Sequence, residues 1–208
     1  MPALFASAGL AVLLVVGLSA RGSGSPAAAA AVRPVLGRPD AAVVVAEYGD
    51  FQCPSCEAFF QTVEPQLKSA YIDTGRIRLE WHDFAWIGQE SRDAANAARC
   101  AAAQGAFWAY HDMLYTHQAG ENSGAFTLDR LKAFGAQLGL AQSRFDACVD
   151  GGTYAAAVAA DTSQAAQLGL SGTPAFVIGR PGGIGQRIVG AQPFSTFAAA
   201  IDAALAAR

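Results

Sequence analysis

Lysine is almost missing from this chain: of 208 residues only Lys68 and Lys132 are lysines, and all charged types together make up 15%. With 14 basic against 17 acidic residues and a net charge of -3, there is no basic stripe to neutralise phosphates, which excludes nucleic acid as a partner. No cysteine occurs before residue 53, so no leader cysteine is available for lipid attachment. No internal repeat is evident, and no block of like charge. A hydrophobic share of 52% excludes a disordered, solvating chain. The length allows one compact domain, or one domain carrying a large insertion, with a core that needs no metal or dense disulfide lattice. Alanine is abundant throughout, a bias of GC-rich genomes that says little about chemistry.

Residues 1–31 have the composition of an export segment. Met1 to Ala20 contains no charged side chain and includes the apolar run Leu10 to Val16. A cleaved signal peptide needs a basic start, a short apolar run and small residues before the cut, and only the last two are present. Twenty uncharged residues also approach the length that spans a bilayer. Two readings therefore stand, a removed signal peptide or an uncleaved membrane anchor, each followed by the flexible Gly/Ser/Pro/Ala tether Arg21 to Ala31. Both place the domain outside the cytoplasm, at the outer face of the membrane or in a periplasm. Arg21, lying after the apolar run, opposes that orientation under the positive-inside rule.

Beyond the tether, the valine-rich run Ala41 to Tyr48 predicts a central strand buried on both faces. Phe59, Phe60, Val63, Leu67 and Tyr71 then recur at helical spacing, with Pro54 in the first turn and Pro65 predicting a kink. "RIRLEWH" alternates as a strand does, which completes a βαβ unit. From about Ser91 to Gly169 the pattern is helical, with Thr127 as a candidate N-cap. "TPAFVIG" and "QRIVG" read as strands joined by a glycine-rich turn, followed by a helix from Pro193 to Ala207. The predicted class is α/β, a thioredoxin-like βαβ then ββα arrangement divided by an all-helical insertion. Its first part covers 32–88, the insertion 89–169 and the second part 170–208.

Four cysteines, at 53, 56, 100 and 148, permit three pairings. Cys53 and Cys56 flank Pro54 and Ser55 at a helix start, so their sulfurs can meet across the first turn. The positive helix end favours a thiolate at Cys53, the nucleophile, while Cys56, one turn inward, is the buried resolving thiol. The bland readings are an inert staple or half of a zinc site. Zinc needs two more ligands, and His82, His111, His117, Cys100 and Cys148 contain no second close pair, so no metal and no cofactor are expected. Each histidine singly reads as a surface or satisfied core residue. Cys100 and Cys148, left to each other, predict a structural disulfide stabilising the fold by ~4 kcal/mol in the chain-entropy model; two free buried thiols are the alternative. Thr173 with Pro174 opens the later strand. A cis bond there would turn the Thr173 backbone toward the dithiol for an extended substrate to pair with, whereas a trans proline would merely start an edge strand.

The segments "EYGDFQCPSC", "SRDAANAARCAAAQGAFWAYHD", "FDACVD", "LGLSGTPAFVIG" and "GAQPFSTFAAAID", in this order and spacing, resemble the DsbA-like thiol:disulfide oxidoreductases from about Val35 to the C-terminus. The resemblance implies Cys53 as attacking thiol, Cys56 as resolving thiol, and Thr173 with cis-Pro174 as the substrate-binding turn. It makes Glu47, six residues before Cys53, the buried acid that shuttles protons beneath the dithiol. Phe51, Pro54 and Ser55 would complete the substrate-facing surface. The implied partners are incompletely folded secreted proteins with free thiols and a membrane quinone-linked thiol oxidase of the DsbB or VKOR type, the protein itself being a monomer. One departure matters. The best-known member has histidine immediately before the second cysteine, and Ser55 here implies a less acidic Cys53 and a weaker oxidant. Asp50 beside the dithiol would weaken the thiolate further. The rival readings are a disulfide reductase or isomerase and, in another class, a tethered chaperone or metal-binding module without redox turnover.

Overall fold

A computed structural model describes residues 33–207; the leader and tether expected at 1–31 lie outside the described residues. The centre of the fold is β2 (Val43–Gly49), which pairs in parallel with β3 (Ile77–Asp83) and antiparallel with β4 (Ala175–Gly179). Two further strands, β1 (Val35–Gly37) and β5 (Gln186–Val189), give the order β1-β3-β2-β4-β5. β1 was not anticipated: it is three residues long between prolines at 34 and 39, too short to show an alternating pattern.

The crossover from β2 to β3 is α1 (Pro54–Thr62), α2 (Glu64–Leu67) and a π-helical turn over Lys68–Ile72. The kink expected at Pro65 is a break one turn earlier. Helix α1 ends at Thr62, Val63 takes φ -107°, and the axis resumes with Pro65 in the first turn of α2. Proline has no N–H to give and crowds the carbonyl four residues back, so helix before it must yield. On this face of the sheet Val43, Val45, Phe59, Leu67, Phe176, Phe197 and Ile201 form one buried cluster, closed by the C-terminal helix α8 (Phe194–Ala206).

Between β3 and β4 the chain forms a helical insertion of α3 (Gln89–Ala102), α4 (Phe107–Thr116), α5 (Leu128–Gln137), α6 (Gln142–Asp150) and α7 (Ala155–Gln167). Thr127 does occupy the N-cap position of α5, but its side chain makes no capping bond. Helix α7 covers only part of the second sheet face, packing Ala165 with Tyr48, Phe84 and Leu170. Val44 and Ala46 are therefore half-buried, which corrects the expectation of a strand buried on both faces.

The insertion shares a core with the sheet instead of forming a separate one, since Phe51, Cys56 and Trp81 pack with Ala97, Ala98, Tyr110 and Tyr115. A charged latch ties it down. Arg99 on α3 bonds Asp83 at the end of β3 and Asp161 on α7, and Asp83 also accepts the Trp81 indole N–H at 2.7 Å. Breaking such a pair leaves a buried charge uncompensated, at a cost of about 3–5 kcal/mol. Cys100 on α3 and Cys148 on α6 form a disulfide with Cα atoms 5.9 Å apart. Among the described residues no helix is long and apolar enough to cross a membrane.

Candidate active site

Cys53 is the residue before α1, with extended backbone (φ -72°, ψ 119°), and Pro54 and Ser55 begin the helix. Proline suits that first position because its missing N–H would have had no helical partner. The Cys53 carbonyl accepts the amides of Cys56 and Glu57, which folds the second cysteine back under the first. Both thiols are unpaired in this structure. Cys53 is 8% exposed and Cys56 fully buried, so Cys53 is the sulfur nearer the solvent. Pro54 is exposed and Ser55 half-buried.

The Cys53 thiol is lowered from 9.0 to about 6. The main cause is the hydrogen bond from the Cys56 thiol; burial opposes it, and the Thr173 side chain and the backbone N–H groups of Cys56 and Ser55 add to the lowering. Neither amide closes a full capping bond to the sulfur; they face it from the open, positive end of the helix. Ser55 thus contributes through its backbone N–H. Cys56 moves the other way, pushed well up by burial first and then by its partner sulfur. The surroundings thus pull the two thiols apart, Cys53 down and Cys56 up.

The opposite wall comes from far along the chain. The Thr173–Pro174 bond is cis, and the Cys53 thiol donates to the Thr173 carbonyl at 3.2 Å. Thr173 is half-buried and Pro174 buried, with β4 starting directly after them. The structure therefore brings together Cys53, Cys56, Thr173 and Pro174 across 120 residues of sequence.

Phe51 is a correction. Expected on the surface around the dithiol, it is 1% exposed and stacks on Trp81 with ring centroids 4.7 Å apart. It forms the floor of the site and cannot contact a substrate. The space for Trp81 exists because residue 49 is glycine, where a Cβ would sit 2.3 Å from the ring. The large apolar side chain at the rim is Trp86, 52% exposed, whose indole N–H donates to the Thr173 hydroxyl at 3.3 Å.

Asp50 holds the loop before Cys53. Its carboxylate accepts from the Ser91 hydroxyl at 2.6 Å and from the amides of Gln52, Trp86 and Ile87. Burial raises its pKa, and with every bond spent on the loop its charge is not among the causes of the Cys53 shift. Gln118 closes the other side, donating to the carbonyls of Phe51 and Cys53. Sequence reasoning missed this bracket. Asp50 carried a local signal, an Asx turn to the amide two residues on, but nothing local marks Gln118 or Ser91.

Glu47 lies on β2 opposite Trp81 and Phe176, on the face covered by α1. It is 1% exposed, its Oε2 has no hydrogen-bond partner, and burial first, then the charge of Glu64, pushes its pKa well up. Two of the histidines expected to be satisfied or superficial are neither. His82 is buried with no partner on either ring nitrogen, and burial holds it neutral, with a pKa of about 4. His111 is fully buried with Nε2 unpartnered. Of the possible further zinc ligands, Cys100 and Cys148 are spent on each other. A cavity of about 530 Å³ near Arg33, Arg99 and Trp108 is lined by none of the dithiol residues.

Comparison with known proteins agrees with this geometry. A probable disulfide bond formation protein D of Bacillus cereus is 35% identical over 131 residues, 59% of this chain and 61% of that one. The chain thus spans about three-fifths of that relative's length. The structure of oxidised BdbD from Bacillus subtilis superimposes with a TM-score of 0.77 at 24% identity, covering 84% of this chain and 94% of that one. Wolbachia pipientis alpha-DsbA1 does so with 0.74 at 23%, covering 83% and 90%. These likenesses establish the fold, a thioredoxin-like sheet with the DsbA helical insertion. The thioredoxin family profile matches residues 30–203, from before the first strand into the last helix, and the chain belongs to the thioredoxin family.

Proposed function

We propose that the chain is an exported thiol:disulfide oxidoreductase that passes a Cys53–Cys56 disulfide to extended, incompletely folded proteins. The observation that carries this reading is the split between the two thiols, Cys53 lowered to about 6 with a little of its surface exposed, Cys56 well above the ordinary value and fully buried. A substrate thiolate attacks the Cys53 sulfur of the disulfide; the S–S bond breaks and its electron pair leaves on Cys56, which takes a proton. A second substrate thiolate then attacks the first substrate sulfur and expels Cys53 as a thiolate. Two electrons have moved to the protein, and a low leaving-group pKa favours the second step. Glu47, kept protonated by burial, supplies the proton to Cys56. The Thr173 carbonyl, turned to the sulfur, gives an extended substrate a backbone partner, and Trp86 offers it an apolar rim.

The Bacillus cereus relative named for disulfide bond formation supports the donating direction. The 1–31 leader supports export, and a membrane quinone-linked oxidase of the DsbB or VKOR type would reoxidise the pair. The test is equilibration of the purified protein with reduced and oxidised glutathione, followed by quenching and thiol counting. A pair that stays largely reduced in a mildly oxidising buffer is a donor. A pair that stays oxidised marks a reductase, and a pair inert to glutathione overturns the reading.

A further inference from the structure

Each turnover at the dithiol moves one proton on or off Cys56, which has no exposed surface. Glu47 is its immediate partner in the proposed reaction, yet Glu47 is sealed beneath α1 and must itself be recharged. The next titratable group outward is Glu64. It stands at the break between α1 and α2, buried, with Oε2 unpartnered, and its charge is felt at Glu47. Beyond it, one donor atom each of Glu64, His111 and Asp112 lie within 4.8 Å of one another. His111 Nδ1 is 2.9 Å from Asp112 Oδ1, and the Asp112 side chain is 58% exposed. The series leads from a sealed thiol to water.

We propose that Glu64 and His111 carry the proton between Glu47 and the solvent at Asp112, so that Cys56 can be protonated and deprotonated without opening the core. This rests on the oxidoreductase reading. When Cys56 leaves with the electron pair of the broken disulfide, the Glu47 carboxyl gives it a proton. Glu64 reprotonates Glu47, and the His111–Asp112 pair, in contact with water, reprotonates Glu64; reoxidation runs the series backwards.

Two features favour this over a structural role. Unpaired buried polar atoms are costly and call for an explanation, and here two carboxylates and an imidazole on three elements each keep one, while buried Asp50 and Asp83 are fully bonded. The walls around His111 are also aromatic. His111 is enclosed by the rings of Phe51, Phe60, Trp81 and Trp108 at 5.1–5.8 Å. Tyr115, its ring 4.9 Å from that of His111, is a further titratable group facing the cluster, and it feels the charges of Cys53 and Asp50. Asp50 is spent on the loop, and Tyr115, its phenol pushed well up by burial, stays neutral.

The test uses the oxidised full chain, reduced by glutathione in a stopped-flow tryptophan-fluorescence assay from about pH 5 to 9, in water and in deuterium oxide. Glu64→Gln is expected to slow reduction by about tenfold or more, within the range of lost general acid–base catalysis, and to change the pH profile and solvent isotope effect. Its Cys53 thiolate absorbance midpoint and its glutathione equilibrium should match wild type. Formate should restore part of the rate to Glu64→Ala, which opens space, and none to Glu64→Gln. Asp112→Asn should slow the reaction by about twofold, because water stands in for an exposed relay group. Wild-type rate and pH profile in Glu64→Gln would overturn the route. So would stoichiometric Zn²⁺ binding by wild type that Glu64→Gln abolishes, since the three donors would then be a metal site. If wild type itself does not react with glutathione, the oxidoreductase reading fails and the route with it; exchange by wild type with an unaffected Glu64→Gln removes the route alone.

Discussion

The two cysteine pairs put the same sulfur chemistry into opposite surroundings. Cys53 and Cys56 are three residues apart at an open helix end, where unspent amides and the Thr173 side chain favour a negative sulfur. Cys100 lies in the last turns of α3 and Cys148 in α6, 48 residues apart, where nearby amides are spent inside helices. The first pair is unpaired in this structure and the second joined. Spacing alone does not lower a thiol; the Cys56 hydrogen bond, the Thr173 side chain and the open helix end do so for Cys53.

The contrast is most exposed to disproof by removing each pair in turn. Cys53→Ala should reduce disulfide transfer to a thiol peptide to the uncatalysed background, with little change in thermal unfolding. Replacing Cys100 and Cys148 by alanine together should do the reverse. It should lower stability by about 4 kcal/mol in the chain-entropy model, seen in denaturant unfolding, while the exchange rate below the melting temperature stays within about twofold. A double variant that lost exchange while still folded would show the second pair to be part of the chemistry.

A smaller effect is expected at the position where the chain departs from the best-known family member. Ser55 contributes its amide alone to the Cys53 sulfur, so Ser55→His keeps that amide and adds an imidazolium. An added positive charge should lower the Cys53 thiolate midpoint by about one pKa unit, shifting the glutathione equilibrium by about tenfold toward the reduced protein. Unchanged thiolate absorbance in Ser55→His would mean that the Cys56 hydrogen bond already sets the charge on Cys53.

The same contrast explains what could be read from the sequence. The strand, helix and helical-block pattern was legible because it is periodic, and the dithiol because its parts are adjacent. Sequence adjacency misled at Phe51, two residues from Cys53, since nearness along the chain does not say which way a ring turns; it turns inward onto Trp81. Gln118, Ser91 and Trp86 come from three other segments and left no local mark. Glu64 and His111 did leave one. Glu64 shares a helical face with Phe60, Leu67 and Tyr71, and His111 with Phe107, Leu114 and Tyr115, so each is a titratable residue standing in an apolar stripe.

The last expected effect is on stability against pH, and its sign separates the pairs again. In the reduced protein Cys53 titrates at about 6 when folded against an ordinary 9.0. A lowered folded value gives stability that is fully present above the unfolded value and lost as pH falls through the folded one. Cys56, pushed upward, opposes this only above its own ordinary value of 9.0. The oxidised protein has neither thiol, and the raised carboxyls Glu47 and Glu64 are present in both forms, so they largely cancel in the difference. The melting temperature of the reduced form should therefore rise relative to the oxidised form between about pH 6 and 9, by on the order of ten degrees. Scanning calorimetry of both forms across that range checks it. A flat difference would mean that Cys53 is not held as a thiolate in the folded chain, and a Cys53→Ala protein should show that flat line.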